Sequence, residues 1–307
     1  MWFKNLYVFA FTKKFEWQEQ DLEKQLSENL FTPCGSTEMA HFGWVNALGK
    51  HGSSTVHCAN KNFLLCARKE EKILPAPVIK DMIDEKVNQL EAEHSRGATK
   101  KEKEQFKEDI IFELLPRAFS RVTDTHAYIN ADENIIVINT SSRAKAEDFL
   151  ALLRKSLGTL PVTSPSPELA PDEVMTDWLV EKNLGDPFVL GMEAELHALG
   201  DDGAVVRVKN QDLGSDEIKV HLDAEKYVVK LALEWDEAIS FILCDDMAIK
   251  RIKFFDVLQE QNDDIDKADV AAKIDADFAL MAGELNRLIN DLFGQFSLNA
   301  NQYLDDK

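Results

Sequence analysis

Four short runs of cations are the most chemically suggestive residues in this chain: Arg68-Lys69-x-x-Lys72, Lys100-Lys101-x-Lys103, Arg117 with Arg121, and Arg154-Lys155. Clustered lysine and arginine suit phosphate, which asks for charge and N–H donors and carries no base identity. Lys100, Lys103 and Lys107 share a helical stripe but alternate with Glu102, Glu104 and Glu108, so they read as a solvated, ion-paired face. Catalytic patterns are missing. The spacing from Gly43 to Gly49-Lys50 is one residue too long for a phosphate loop, and His51 stands where Ser or Thr is needed. No nucleophile elbow and no zinc-protease helix motif occur.

Acid-rich runs invite metal chemistry and then resist it. Cys244-Asp245-Asp246 reads as a hairpin turn, which Asp favours. Asn262-Asp263-Asp264-Ile265-Asp266 lacks the glycine and the closing Glu of a calcium loop. Its expected role is to cap the last helix. Cys34, Cys58, Cys66 and Cys244 form no C-x-x-C pair, and His41, His57 and Cys58 lack zinc-ligand spacing. Buried thiols in strands are expected. A metal nuclease built on Asp245 and Asp246 is the weakest of the readings considered, and no cofactor is expected.

The elements that must position these residues alternate between two periodicities. Phe3–Phe11 is predicted as a strand and Trp17–Leu30 as a helix with Leu22, Leu26 and Leu30 on one side. Glycines from Gly43 to Gly52 mark a loop, and Val56–Ala59 with Asn62–Arg68 form a hairpin. Pro77 opens a helix that ends at Ser95-Arg96-Gly97. Thr99 and Glu102 make a capping box for a second helix, stopped by Leu115-Pro116. The two form a helical hairpin. Strands at Ser120–Asn130 and Ile135–Asn139 and a helix from Arg143 to Leu157 follow, with Gly158 as its stop. The proline-rich stretch Leu160–Pro171 reads as a linker. Beyond it, Val205–Asn210, a helix at Glu217–Asp223, a hairpin over Tyr227–Ile252 and a helix at Phe254–Glu260 resemble a weak copy of the first half. The last helix, Lys267–Phe293, carries Phe278, Met281, Leu285, Leu288, Ile289 and Leu292 as a core or dimer stripe.

The 307 residues suggest about two domains. Net charge is −20, and it is uneven: residues 1–60 hold 5 basic and 6 acidic side chains, 61–160 hold 17 of each, and 161–307 hold 13 basic against 32 acidic. Such a chain repels nucleic acid unless folding gathers the cations on one surface. No apolar run approaches the ~18 residues of a membrane span. The first residues lack the basic region and cleavage site of a signal peptide, so cytoplasmic residence is expected.

Several long, irregular strings resemble one family: Trp2-Phe3-Lys4-Asn5-Leu6, Phe31-Thr32-Pro33-Cys34-Gly35-Ser36, Cys66-Ala67-Arg68-Lys69-Glu70-Glu71-Lys72-Ile73-Leu74-Pro75, Leu114-Leu115-Pro116-Arg117-Ala118-Phe119-Ser120-Arg121, Ala151–Gly158 and Asp275-Ala276-Asp277-Phe278. They are similar to the recombination-associated RdgC proteins. The expected fold is α+β, two related antiparallel-sheet and helix halves with a protruding helical hairpin, and the resemblance implies its assembly as a ring-shaped homodimer. It implies DNA binding without sequence preference, antagonism of the RecA recombinase, no catalysis and a nucleoid location. Duplex is the expected DNA form, with single strands the alternative.

The expected organisation is 1–74 plus 120–160 as a central domain, 75–119 as the hairpin, and 161–307 as an acidic base for dimerisation. Expected DNA contacts are Arg68, Lys69, Lys72, Lys80, Arg117, Arg121, Arg154, Lys155, Lys250 and Lys253. Phe119 is expected at an opening dimer contact, its alternative being a place in the local core. Asn210 and Gln211 are expected at the second contact. The competing functional reading is an acidic module that binds a recombinase or replication protein directly, with weak DNA contact.

Overall fold

A computed structural model describes residues 2–200, 203–266 and 269–304. In chain order the elements are β1 (Leu6–Phe11), α1 (Glu19–Leu26), β2 (Ala40–Val45), β3 (Val56–Ala59), β4 (Asn62–Lys72), α2 (Ala76–His94), α3 (Lys100–Leu114), β5 (Ser120–Asn130), β6 (Ile135–Asn139), α4 (Arg143–Leu157), β7 (Val162–Thr163), α5 (Pro171–Glu181), β8 (Phe188–His197), β9 (Val205–Lys209), α6 (Asp216–Asp223), β10 (Tyr227–Trp235), β11 (Ile239–Cys244), β12 (Ile249–Phe254), α7 (Asp256–Gln259) and α8 (Val270–Gln295). The protein is thus mixed α+β with an antiparallel sheet. It forms two compact units, one of residues 1–28, 46–66 and 125–307, the other of 29–45 and 67–124.

In the first unit the strand order is β4-β5-β6-β1-β12-β11-β10-β8-β9, with β3 on β4 and β7 on β1. β1 is buried on both faces, as its run of apolar residues requires. Leu6, Val8 and Ala10 face the main core, and Tyr7, Phe9 and Phe11 alternate to the other side. Farther along the sheet, β10 packs mainly through one face. Along β10, Leu231, Leu233 and Trp235 are buried with α5 and α8, while Lys230, Ala232 and Glu234 alternate outward.

Among the helices, α8 contributes the most residues to that core. Phe278, Met281, Leu285, Leu288, Ile289 and Leu292 are all at most 1% exposed, so the predicted stripe is core. Burying each contributes about 1.5–3 kcal/mol. Polar groups fix the helix in place. Tyr128 Oη donates to Asn286 Oδ1 at 2.9 Å, Asn286 Nδ2 donates to Asn62 Oδ1 at 3.1 Å, and Trp235 Nε1 donates to Asp291 Oδ2 at 2.8 Å. Asp269 caps α8 by accepting from the Ala272 N–H. The cap is therefore not the Asn262–Asp266 run. That run turns beside the helix, where Asp263 pairs with Lys273 at 3.0 Å and Asn262 donates to Asp277. The predicted start at Lys267 lies outside the described residues.

The proline-rich stretch does not behave as an extended linker. It contributes β7, and Pro171 begins α5, where its missing N–H costs nothing. Met175, Trp178 and Leu179 of α5 are buried in the core. β8 follows, in a region left without an element by sequence.

In the second unit β2 lies beside β4, and α2 and α3 pack together across Ser95–Thr99. Ser95 takes the left-handed conformation that ends α2, and the Thr99/Glu102 capping box starts α3 as predicted. Gly43 is a strand residue of β2, contrary to the predicted loop. A Cβ there would stand 2.6 Å from the Phe31 backbone, so glycine permits the close approach. Cys66 and Cys244 are strand thiols as expected, whereas Cys34 lies in a loop, its Sγ 3.3 Å from the Glu70 carbonyl.

Asn286→Ala should strand the buried Tyr128 hydroxyl and cost about 1–3 kcal/mol. A lowered urea midpoint is expected, with Asn290→Ala on the exposed side of α8 unchanged.

Candidate nucleic-acid interface

Six of the ten expected DNA-contacting cations lie in the second unit. In β4, period-2 alternation sets Arg68 and Lys72 on one face and Lys69 with Glu71 on the other. Arg68 Nε and Nη2 each donate to Asp124 at 2.7 Å, and its guanidinium lies 5.8 Å from the Phe31 ring centre. Glu71 sits between Arg121 at 3.1 Å and Lys69 at 3.2 Å. Hydrogen bonds from Arg121 and Lys69 hold its carboxyl below the usual range. Lys72, Lys80 and Arg117 form no ion pair among the described residues.

The Lys100, Lys103 and Lys107 stripe is not ion-paired among the described residues. Glu102 is taken instead by Arg96, at 2.6 and 2.9 Å, and by the Thr99 cap. Those bonds hold its carboxyl far below the ordinary range. Phe119 is 85% exposed, so it is not in a local core. Its carbonyl accepts from the Ile73 N–H at 2.7 Å, and Ile73 is itself exposed.

The first unit holds the other four cations. Arg154 and Lys155 are exposed in the last turn of α4, where cations favour the helix dipole. Lys250 and Lys253 lie on β12. None of these four forms an ion pair among the described residues. Asn210 follows the edge strand β9 with φ +53°, and Gln211 donates its side-chain amide to Glu217.

Lys250 opens onto a cleft of about 370 Å³ on the outward face of β8–β12. Its rim is cationic: Arg207, Lys209, Lys230, Lys250 and Arg251, with Glu193 and Glu195 between them. Glu195, 13% exposed at its side chain, meets Arg207 at 2.8 Å, Lys230 at 3.0 Å and His197 at 3.1 Å. Burial alone would raise its pKa, but the three hydrogen bonds overcome burial and lower it to about 2. Glu193 pairs with Arg251 and with Lys209.

A β-bulge between Ile242↔Lys250 and Ser240↔Lys253 puts Arg251 at φ +53°, with its N–H on Asn5 Oδ1 at 3.2 Å. Sequence reading named only Lys250 here. The overlooked signal is period-2 acids in Glu193-x-Glu195 facing period-2 bases in Arg207-x-Lys209, each pair in register across β8 and β9.

The turn at Cys244-Asp245-Asp246 joins β11 to β12 as predicted. Asp246 accepts from Tyr7 Oη at 3.0 Å, and burial together with that carboxylate pushes the phenol up to about 12. His57 meets Asp275 at 2.7 Å, and His41 lies 3.2 Å from Thr32 Oγ1. Among the described residues no three His, Cys, Asp or Glu side chains gather to hold a metal, and no helix is long and apolar enough to cross a membrane.

A family model described as "Putative exonuclease, RdgC" matches residues 1–299. The Recombination-associated protein RdgC of Colwellia psychrerythraea is 75% identical over 305 residues, 99% of each chain. The chain belongs to the RdgC family. Two further RdgC relatives are more distant. The protein of Aeromonas hydrophila is 52% identical over 95% of this chain and 97% of its own. That of Salmonella paratyphi B is 48% identical over 95% and 96%. The relatives' names tie RdgC to recombination, while the family model's description points to nuclease chemistry.

Because the Glu195 pKa is depressed in the folded state, its stabilisation is complete above the unfolded value of about 4.3 and is lost as pH falls through about 2. Glu195→Gln should therefore lower the urea midpoint at pH 7. The gap to the wild type should close between pH about 4.3 and 2.

Proposed function

We propose that this protein binds DNA without sequence preference, encircles it as a two-fold ring dimer, and restrains RecA by occupying the duplex. One observation carries the reading. The chain has 55 acids for 35 bases, yet seven of the ten singled-out cations form no ion pair among the described residues. In a chain with acid to spare, cations kept out of ion pairs suit an external polyanion. Arg68, Lys69 and Arg121 join them by exchanging a carboxylate for a phosphate.

A ring closed from two chains needs two self-complementary contacts. The exposed Phe119 phenyl suits the contact that opens, at the end of the 75–119 hairpin. Asn210 and Gln211, beside the edge strand β9, suit the other, in the acid-rich 161–307 region. In this reading the protein is cytoplasmic and nucleoid-associated, and it works by occlusion without catalysis. The acid excess of 161–307 also favours a second reading, direct binding of a recombinase or replication protein by a surface that imitates DNA.

Retention on circular and linearised duplex in rising salt tests the proposal. Selective loss from the linear form is expected, and equal loss would remove the ring. Affinity should fall steeply with salt. Binding to neither form at low salt would favour the protein-binding reading, and magnesium-dependent loss of DNA would favour the nuclease one. Phe119→Ala should leave a dimer that slips from circles. Neutralising Arg68, Lys69 and Lys72 together should weaken binding to unrelated sequences alike.

A further inference from the structure

The cleft on the outward face of β8–β12 has a composition that the rest of its region does not share. Residues 161–307 carry 32 acids and 13 bases, yet five of those bases and only two of those acids line this one cleft. The local surplus is three positive charges. Both acids are already committed: Glu195 to Arg207, Lys230 and His197, Glu193 to Lys209 and Arg251. They hold the rim cations in place against mutual repulsion. Lys250 forms no ion pair among the described residues and lies 6.0 Å from the Tyr7 ring centre.

The backbone contributes a second, independent observation. In a regular strand Lys250 and Arg251 would point to opposite faces. The bulge, with Arg251 in a left-handed conformation that non-glycine residues rarely adopt, brings both side chains to the same cleft. Strain of this kind persists where surrounding structure enforces it, and it gathers at ligand sites. Beneath the cations the floor is apolar: Ile242 and Cys244, in register with Lys250 and Lys230, are buried. A volume of about 370 Å³ suits a small ligand.

We infer that this cleft binds a single nucleotide, its phosphate held by Lys250 and Arg251 and its base laid on the floor formed by Ile242 and Cys244. A bare inorganic anion would leave the apolar floor unused, and an uncharged nucleoside would leave the cations unused. The inference does not rest on encirclement. A ring that fails to retain circular DNA leaves it standing, and a ring that succeeds does not prove it.

Calorimetric titration of the full-length protein with thymidine 5′-monophosphate, inorganic phosphate and thymidine tests it. The monophosphate should bind at one per chain and more tightly than either part. Lys250→Gln and Arg251→Gln should each weaken it about tenfold, the loss expected for one hydrogen bond to a charged group. Unchanged thermal unfolding of Lys250→Gln would show that the fold is intact. No binding of the monophosphate, phosphate binding as tightly as the nucleotide, or affinity unmoved by both variants would overturn the assignment. A short oligothymidylate separates the sources. Displacement of the monophosphate assigns the site to a nucleotide of a DNA strand. Binding of the monophosphate without displacement assigns it to free nucleotide.

Discussion

The hydrogen-bonded chain from Tyr128 through Asn286 to Asn62 sets where the longest helix sits on its sheet. An apolar stripe can slide by a turn with small loss, because hydrophobic contact is non-directional. A buried hydroxyl and two amides cannot, since each displaced group would be left without a partner. With α8 fixed, Leu231, Leu233, Leu243 and Ile249 must face it. The period-2 rule then sends Lys230, Ile242, Cys244 and Lys250 to the other face. The cationic cleft is a geometric consequence of how the opposite face is packed.

Charge is organised by the same alternation. Glu193 and Glu195 hold four cations from three different strands against one another, within the cleft that Lys250 also lines. In the second unit Asp124 and Glu71 do the same for Arg68, Lys69 and Arg121. The carboxylates pre-position the cations in the free protein, and an arriving phosphate must compete with them. Positions that carry no such partner, Lys72, Lys80 and Arg117 among them, face no such competition.

Local signals were legible where a short-range stereochemical rule applied. Gly158 ends α4 where expected, and the Thr99/Glu102 pair starts α3 as its spacing predicts. The α5–β8 stretch was misread because its punctuation serves compact structure. Pro171 opens a helix, and Gly191, which resembles a strand breaker, lies so close to Ala232 that a Cβ would stand 2.9 Å from it. The cations themselves were legible, but their partners were not. Asp124 is far from Arg68 in sequence, and only strand pairing brings them together. The cleft escaped notice because its residues come from β8, β9, β10, β11 and β12, and because the decisive event at Arg251 is a backbone irregularity with no glycine to announce it.

That irregularity bears on how the protein would respond to selection. Glycine is the residue that relieves a left-handed backbone, and asparagine tolerates it best among the others. At position 251 either exchange would ease strain and remove a charge from the cleft together. A library screened only for thermal resistance should therefore drift toward glycine or asparagine there, while one screened for ligand retention should keep arginine. The two criteria oppose each other at this single residue.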